Sequence, residues 1–141
     1  MLKVVVALDG SPQSTQILGL ATELLGGRQT ETTVLHVLPP PVVDAVSMSI
    51  PRHHGVAMLN EAAQTLQQGG VGPTIGKELE VGDPADLILA AAEAKGSDLI
   101  ILGSRGLNAA QRFLMGSVST KVVMHAPCAV LVARQKKGPT P

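Results

Sequence analysis

Short apolar runs rich in β-branched residues alternate along the chain with segments whose apolar residues recur every three or four positions. The runs at residues 3–8, 32–38, 74–81, 98–102 and 129–133 have the length and composition of strands, and the intervening segments have the period of amphipathic helices. Strands separated by helices imply right-handed crossovers. The pattern therefore predicts an α/β fold, a doubly wound parallel sheet of five strands in the order 3-2-1-4-5 with helices on both faces.

Turn and cap residues indicate where these elements begin and end. Ser11 before Pro12 predicts an N-cap with proline at the first helical position, and Asp83 before Pro84 repeats the pattern. The third run is less apolar than the others and is expected near a sheet edge. Residues 39–54 begin with three prolines and lack a clear period, so we expect a surface excursion there, of the kind that can act as a flap.

The composition narrows the class of protein and of partner. The chain of 141 residues suffices for one complete core, so residues 1–135 are expected to form a single domain and residues 136–141 a flexible tail. Phe113 is the one aromatic residue, which argues against a stacking platform for nucleic-acid bases. Eleven basic and eleven acidic side chains cancel, so neither nucleic acid nor a membrane surface is an expected partner. The single cysteine and the lack of a membrane-length apolar run favour a cytoplasmic protein.

A glycine-rich loop follows the fourth predicted strand. Gly103 and Gly106 are separated by two residues, and nine residues later Gly116 and Ser117 precede a helical segment. Because glycine has no Cβ, it can adopt positive φ and lets backbone N–H groups approach a ligand closely. Gly116 and Ser117 would lie at a helix N-terminus, where free N–H groups and the helix dipole favour an anion. The spacing predicts a phosphate site that differs from the Walker A and dinucleotide patterns.

Asp9 ends the first predicted strand and would face this loop across the sheet. In such a sheet, ligands bind beyond the carboxyl ends of the strands where the strand order reverses, here between the first and fourth strands. A carboxylate at that point suits ribose hydroxyls or, through water, a metal ion on the phosphates; the alternative is a cap on the first helix. Arg105 lies within the loop and is either a donor to phosphate or a solvated side chain.

The histidines and the cysteine give only weak indications of a metal site or a nucleophile. His36, His53, His54 and His125 are scattered, and the adjacent pair is expected on a surface loop rather than in a metal site. Cys128 is expected to be a small buried residue rather than a nucleophile, because no histidine or acid is placed beside it by spacing. We predict no metal-ligating and no catalytic residue.

Several of these segments together resemble the universal stress protein family. The likeness lies in LGSRG at 102–106, FLMGSVS at 113–119, VVMHAPCAVLV at 122–132, VVALDGS at 5–11 and HV at 36–37, and it spans nearly the whole chain. The family's ATP-binding branch has the pattern G-x2-G-x9-G-[S/T], which the glycines described above and Ser117 satisfy without a gap.

The resemblance implies a role for individual residues. By that likeness Asp9 contacts the ribose, the regions of Ala7 and Val37 flank adenine, and the phosphates are held by Gly106, Gly116, Ser117, Val118 and Ser119. ATP, with Mg²⁺, is the expected ligand. Since Asp9 is the one carboxylate associated with the motif, we expect at most slow ATP hydrolysis. The resemblance implies a regulatory role in the stress response.

The fifth predicted strand suggests self-association. Its residues are all apolar, and at the edge of the sheet they would leave unpaired backbone groups that a second copy could satisfy: Ala129, Val130, Leu131, Val132 and Ala133. The family resemblance implies the same homodimer. The alternative function is a nucleotide-independent dimeric module that other proteins recognise, with the glycine loop as a mere connector.

Overall fold

The computed structural model describes residues 1–40, 49–104 and 116–134. In chain order the elements are β1 (Leu2–Leu8), α1 (Gln13–Leu25), β2 (Gln29–Leu38), α2 (Ser49–Gln68), β3 (Gly72–Val81), α3 (Pro84–Lys95), β4 (Leu99–Gly103), α4 (Ser117–His125) and β5 (Ala129–Ala133). All strand pairs are parallel, and the sheet has the order β3-β2-β1-β4-β5. The predicted fold class and strand order are confirmed, as is the edge position of β3.

Alternating residues of each strand point to opposite faces of the sheet, so the protein has two hydrophobic cores. Val4 and Val6 of β1 pack beneath α1 and α2, whereas Val5 and Ala7 pack beneath α3 and α4. The middle of β1 is almost inaccessible to solvent, since it has a strand on each side and helices on both faces. Among the described residues no helix is long and apolar enough to cross a membrane.

Several element boundaries differ from the predicted ones, and β2, for example, begins at Gln29 rather than at residue 32. Ser11 does not cap α1: the helix begins at Gln13, its N-cap position is Pro12, and the Ser11 hydroxyl is buried without a hydrogen-bond partner. The backbone N–H of Ser11 is instead held by the carboxylate of Asp9. The expected excursion is shorter than predicted, because residues 49–54 already belong to α2; residues 41–48 lie outside the described part. Asp83 does cap α3, accepting a hydrogen bond from the N–H of Asp86 at 2.9 Å.

The C-terminal ends of α1 and α2 meet through paired glycines. A Cβ on Gly26 would lie 2.7 Å from the backbone oxygens of both Gly69 and Thr22, while Gly27 donates a hydrogen bond to the carbonyl of Gly70 at 3.0 Å. Because backbone atoms cannot rotate away as a side chain does, a side chain at position 26 would force the two helix ends apart. The close approach explains why glycine is needed there.

We expect Gly26→Ala to lower the free energy of unfolding by about 1–3 kcal/mol, the usual effect of overpacking a tight contact. Gly19→Ala is the matched control, because a Cβ at this α1 position meets nothing within 4 Å. It should raise stability by about 0.5–1 kcal/mol through the better helix propensity of alanine. Urea denaturation of both variants measures the difference, and equal stabilities would contradict this account of the helix junction.

Candidate nucleotide-binding site

The two central strands separate before they end, and this separation opens a crevice. The β1–β4 ladder stops at the pair Val6 and Ile101, whereas β1 continues alongside β2 as far as Leu8 opposite His36. The β4–β5 ladder in turn continues to Gly103. The last residues of β1 and β4 therefore diverge at the carboxyl edge of the sheet, where the strand order reverses.

A pocket of about 480 Å³ occupies this crevice. Its volume is in the usual range for a small-molecule site. It brings together the predicted site residues that the structure describes: Ala7, Asp9, Val37, Gly103, Gly116, Ser117, Val118 and Ser119. Arg105 and Gly106, also predicted, lie outside the described residues.

Other lining residues escaped prediction. Leu35 and Pro39 come from β2 and its end, Leu102 from β4, and Pro84 and Ile88 from the start of α3. The helical period of α3 indicated an apolar face but not that its first turns reach across the crevice. That placement depends on how the helix crosses the sheet, and no local pattern encodes it.

Asp9 lies at the mouth of the pocket in a tight turn. Its Oδ1 accepts the N–H of Ser11 at 2.8 Å, and Gly10 between them has φ +81°, a conformation that suits glycine. The carboxylate thus stabilises the turn that follows β1 and contacts no N–H of α1, so it does not cap the helix. One bond at Oδ1 leaves the carboxylate with acceptor capacity for a ligand.

The N-terminus of α4 lies on the other side of the pocket. Gly116 is its N-cap and provides no side-chain hydrogen bond; its own N–H donates to the carbonyl of Ser104 at 2.5 Å. The next three N–H groups, of Ser117, Val118 and Ser119, have no acceptor within the helix, as in the first turn of any α-helix. These amides and the helix dipole make the wall attractive to an anion.

The loop ends are fixed by a short network of hydrogen bonds. The Ser119 hydroxyl donates to the carbonyl of Ser104 at 2.9 Å and lies 3.0 Å from that of Gly116, and its residue is 2% exposed. Ser104 donates its N–H to the carbonyl of Ala133 at 2.9 Å, which also accepts from the Gln13 side chain at 2.7 Å. The hydroxyl of Ser119 therefore orients the start of α4, and it is the backbone N–H of this residue that remains for a ligand.

The charges of the described part of the site are few. Asp9 is the one ionisable side chain among the described lining residues. Lys121 of α4 forms an ion pair with Asp86 at 2.7 Å; its hydrogen bond lowers the pKa of Asp86 and raises its own. Within the described residues, an anion would be held by backbone amides and the helix dipole.

The remaining candidates lie elsewhere. His53 and His54 are exposed on α2, and among the described residues no three His, Cys, Asp or Glu side chains converge as metal ligands do. Cys128 is half-buried against the core beneath α3 and α4, and burial raises the pKa of its thiol. A raised pKa leaves less thiolate at neutral pH, which fits a packing residue. His36 is buried at the end of β2.

Neither described glycine of the motif has the positive φ that the spacing suggested. Gly116 has φ −68° and ψ 166°, an extended conformation open to any residue. Gly103 is not in the left-handed region either, and a Cβ on it would lie 2.5 Å from Oε1 of Gln13 and 3.1 Å from Cδ1 of Ile17. The Gln13 side chain of α1 thus occupies the space beside Gly103, so a larger residue at position 103 would displace it, whereas Gly116 leaves the N-terminus of α4 uncovered.

Together the fold and the site define a class, the doubly wound α/β proteins with a pocket at the switch point of the sheet. Comparison with known proteins identifies the family. Residues 1–134 match the universal stress protein family, and the chain belongs to it. Universal stress protein YxiE of Bacillus subtilis is 34% identical over 148 residues, covering 94% of this chain and 98% of that protein.

Solved structures of the family have the same fold. Universal stress protein UspA from Lactobacillus plantarum superposes with a TM-score of 0.80 at 25% identity, covering 94% of this chain and 97% of that one. The universal stress protein from Archaeoglobus fulgidus in complex with dAMP gives 0.68 at 24% identity, covering 94% and 97%. A family protein from Arabidopsis thaliana with AMP bound gives 0.70 at 21% identity, covering 96% and 93%.

The packing account of Gly103 makes a prediction. Gly103→Ala should push the Gln13 amide away from the Ala133 carbonyl and lower the free energy of unfolding by about 1–2 kcal/mol. Gln13→Ala, which removes the same hydrogen bond without a clash, is the matched control. If thermal denaturation shows Gly103→Ala to be as stable as the unmodified protein, Gly103 is not required by packing.

Proposed function

We propose that this protein is an ATP-binding regulatory protein of the stress response, a homodimer with at most slow ATP hydrolysis. The observation that carries the proposal is the pocket itself. It places an exposed carboxylate, Asp9, and an uncapped helix N-terminus, that of α4, on opposite sides of one crevice. These two groups suit the two polar parts of a nucleotide, the ribose and the phosphates.

The pocket accommodates the nucleotide in one direction. Asp9 accepts hydrogen bonds from ribose hydroxyls, and the amides of Ser117, Val118 and Ser119, with Gly116, receive the phosphates. The adenine lies against the apolar part formed by Ala7 and the side chains around it: Leu35, Val37, Pro39, Pro84, Ile88 and Leu102. Gly106 and Arg105 complete the phosphate site, and Mg²⁺ accompanies the triphosphate.

Relatives support adenine as the base. The Archaeoglobus and Arabidopsis family proteins hold dAMP and AMP, respectively. The pocket of this chain offers the base apolar contacts and no described aromatic ring, so base selection rests on shape and on backbone groups. We extend the ligand from monophosphate to ATP because the free amides at α4 can hold a phosphate chain.

Slow hydrolysis follows from the side chains around the phosphates. A fast ATPase needs a group that orients the attacking water and a charge that stabilises the transition state. The described residues at the α4 end of the pocket are Gly103, Ser104, Gly116, Ser117, Val118 and Ser119, none of them ionisable. Asp9 lies across the crevice, at the ribose. Nucleotide binding is thus a signal that biases the conformation of the protein rather than a step in rapid turnover.

A substitution at Gly116 tests nucleotide binding. Gly116→Asp should lower ATP affinity at least about 100-fold, because its carboxylate both caps the free amides and repels phosphate. The fold should tolerate the change, since the residue is extended and aspartate is a preferred N-cap, as Asp83 is for α3. Isothermal titration calorimetry with ATP and Mg²⁺ measures the affinity, and thermal denaturation checks stability.

Gly116→Asn is the control for charge. It can cap the same amides without a negative charge, so its loss of affinity should be smaller. The chain has no Trp and no Tyr, so a nucleotide that remains bound through purification would dominate the ultraviolet spectrum. Unmodified protein that carries no nucleotide and gives no heat with ATP would refute nucleotide binding and favour the dimeric interaction module.

The homodimer is proposed from the edge strand β5. Its sequence is wholly apolar, yet Val130, Leu131 and Val132 are only half-buried, and among the described strands β5 pairs with β4 alone. An edge of this kind invites pairing with a second chain. Antiparallel pairing of two β5 strands about a two-fold axis would satisfy both edges at once.

We expect Leu131→Lys to produce monomers, because it places a charge in the paired edge. Val56→Lys is the matched control, a similar change at a half-exposed position of α2, which packs on β2 and β3 at the other side of the sheet. Light scattering measures the mass. A dimer that persists in Leu131→Lys would exclude this interface, whereas dissociation of both variants would point to a general loss of stability.

A further inference from the structure

His36 is a polar residue that the proposed nucleotide site does not use directly. It lies near the carboxyl end of β2, opposite Leu8 of β1, and it is 8% exposed. It projects to the face covered by α2, away from the pocket side on which Leu35 and Val37 lie. A buried imidazole needs a hydrogen-bond partner, because an unpaired polar group in the core is destabilising.

The partner of His36 is a backbone carbonyl of the neighbouring strand, β1. Nδ1 of His36 lies 2.7 Å from the carbonyl oxygen of Leu8. A carbonyl oxygen can only accept, so Nδ1 carries the proton and donates it. This bond holds the last carbonyl of β1, at the point where β4 has already separated and can no longer support the strand.

The ring also lies beside the turn that follows β1. Its Cε1 lies 3.9 Å from the place a Cβ on Gly10 would occupy, and its Cδ2 lies 3.2 Å from that of Gly55 in α2. The imidazole is therefore enclosed by the end of β1, the turn and α2. Asp9 lies between Leu8, whose carbonyl accepts the hydrogen bond of His36, and Gly10, beside which the ring lies.

We propose that His36 is a positioning residue for Asp9. By holding the Leu8 carbonyl, it fixes the start of the turn in which the Asp9 carboxylate accepts the N–H of Ser11 and faces the crevice. In a nucleotide complex this sets ribose recognition, so that part of the inference rests on the proposed function. The fixing of the turn does not, because it concerns the ligand-free protein.

Two substitutions of His36 separate the effect of its hydrogen bond from the effect of the volume of its ring. His36→Leu removes the donor and keeps an apolar side chain of moderate size. His36→Asn restores an N–H donor near the position of Nδ1 and is the rescue variant. Leu79→Val is the packing control, because Leu79 contacts the same position of α2, lying 3.0 Å from a Cβ on Gly55, but does not touch the Leu8 carbonyl.

The first measurement uses the ligand-free protein. Amide hydrogen exchange by NMR reports on the Ser11 N–H, which the Asp9 carboxylate protects. We expect His36→Leu to speed exchange of this amide about tenfold or more, while His36→Asn and Leu79→Val stay near the unmodified protein. If the Ser11 amide is equally protected in His36→Leu, the proposal is overturned whether or not a nucleotide binds.

The second measurement compares the affinities for AMP and for dideoxy-AMP, which lacks the ribose hydroxyls. The unmodified protein should prefer AMP by about tenfold, the effect of a hydrogen bond to a charged group. Asp9→Asn and His36→Leu should both remove most of this preference, and His36→Asn should restore it.

The outcomes distinguish the two proposals. A preference for AMP that survives in His36→Leu, with all affinities lowered equally, would assign His36 a purely structural role and overturn the positioning role. Absence of any adenine nucleotide binding in the unmodified protein would refute the proposed function alone, and the exchange rate of Ser11 would still decide the role of His36.

Discussion

The early end of the β1–β4 ladder is the constraint on which the rest of the site depends. Because pairing stops at Val6 and Ile101, both strands continue for two residues without each other's support. Parallel strands that stay paired to their ends would leave no room between them for a ligand. The separation creates the crevice, but it also exposes backbone groups at two strand ends that other parts of the protein must then hold.

Each of the two strand ends is held by its own set of hydrogen bonds. On the β1 side, the carbonyl of Leu8 accepts from His36 and the following turn is closed by Asp9. On the β4 side, Ser104 bonds through its N–H to Ala133 of β5 and through its carbonyl to Gly116 and Ser119. The pocket therefore lies between two internally bonded walls. The second wall connects the proposed phosphate site to the proposed dimer strand through a single residue.

The sequence predicted the architecture because the fold follows from local patterns. Apolar runs rich in β-branched residues identify the strands, helical periods identify the helices, and the handedness of crossovers limits their order. Asp9 and Gly116 were predictable because strand ends and helix starts meet at one edge. Ile88 was not, since its place in the pocket depends on how α3 crosses the sheet. Leu35 could have been predicted, because it lies two residues before Val37 on the same face of β2. The packing of Gly103 was not predictable, because the spacing of a motif does not reveal that the side chain of Gln13, ninety residues earlier, occupies the space beside it.

Two helices of the same protein differ in how the N–H groups of their first turn are satisfied. Both α3 and α4 begin at the carboxyl edge of the sheet. In α3 the Asp83 side chain caps the first turn, which contributes about 1 kcal/mol. At α4 the equivalent position is glycine in an extended conformation that aspartate or serine could equally adopt, and no side chain caps the helix. A capping side chain at α4 would stabilise that helix, as Asp83 stabilises α3. The absence of one at α4, where the amides face the pocket, leaves those amides available to an anionic ligand.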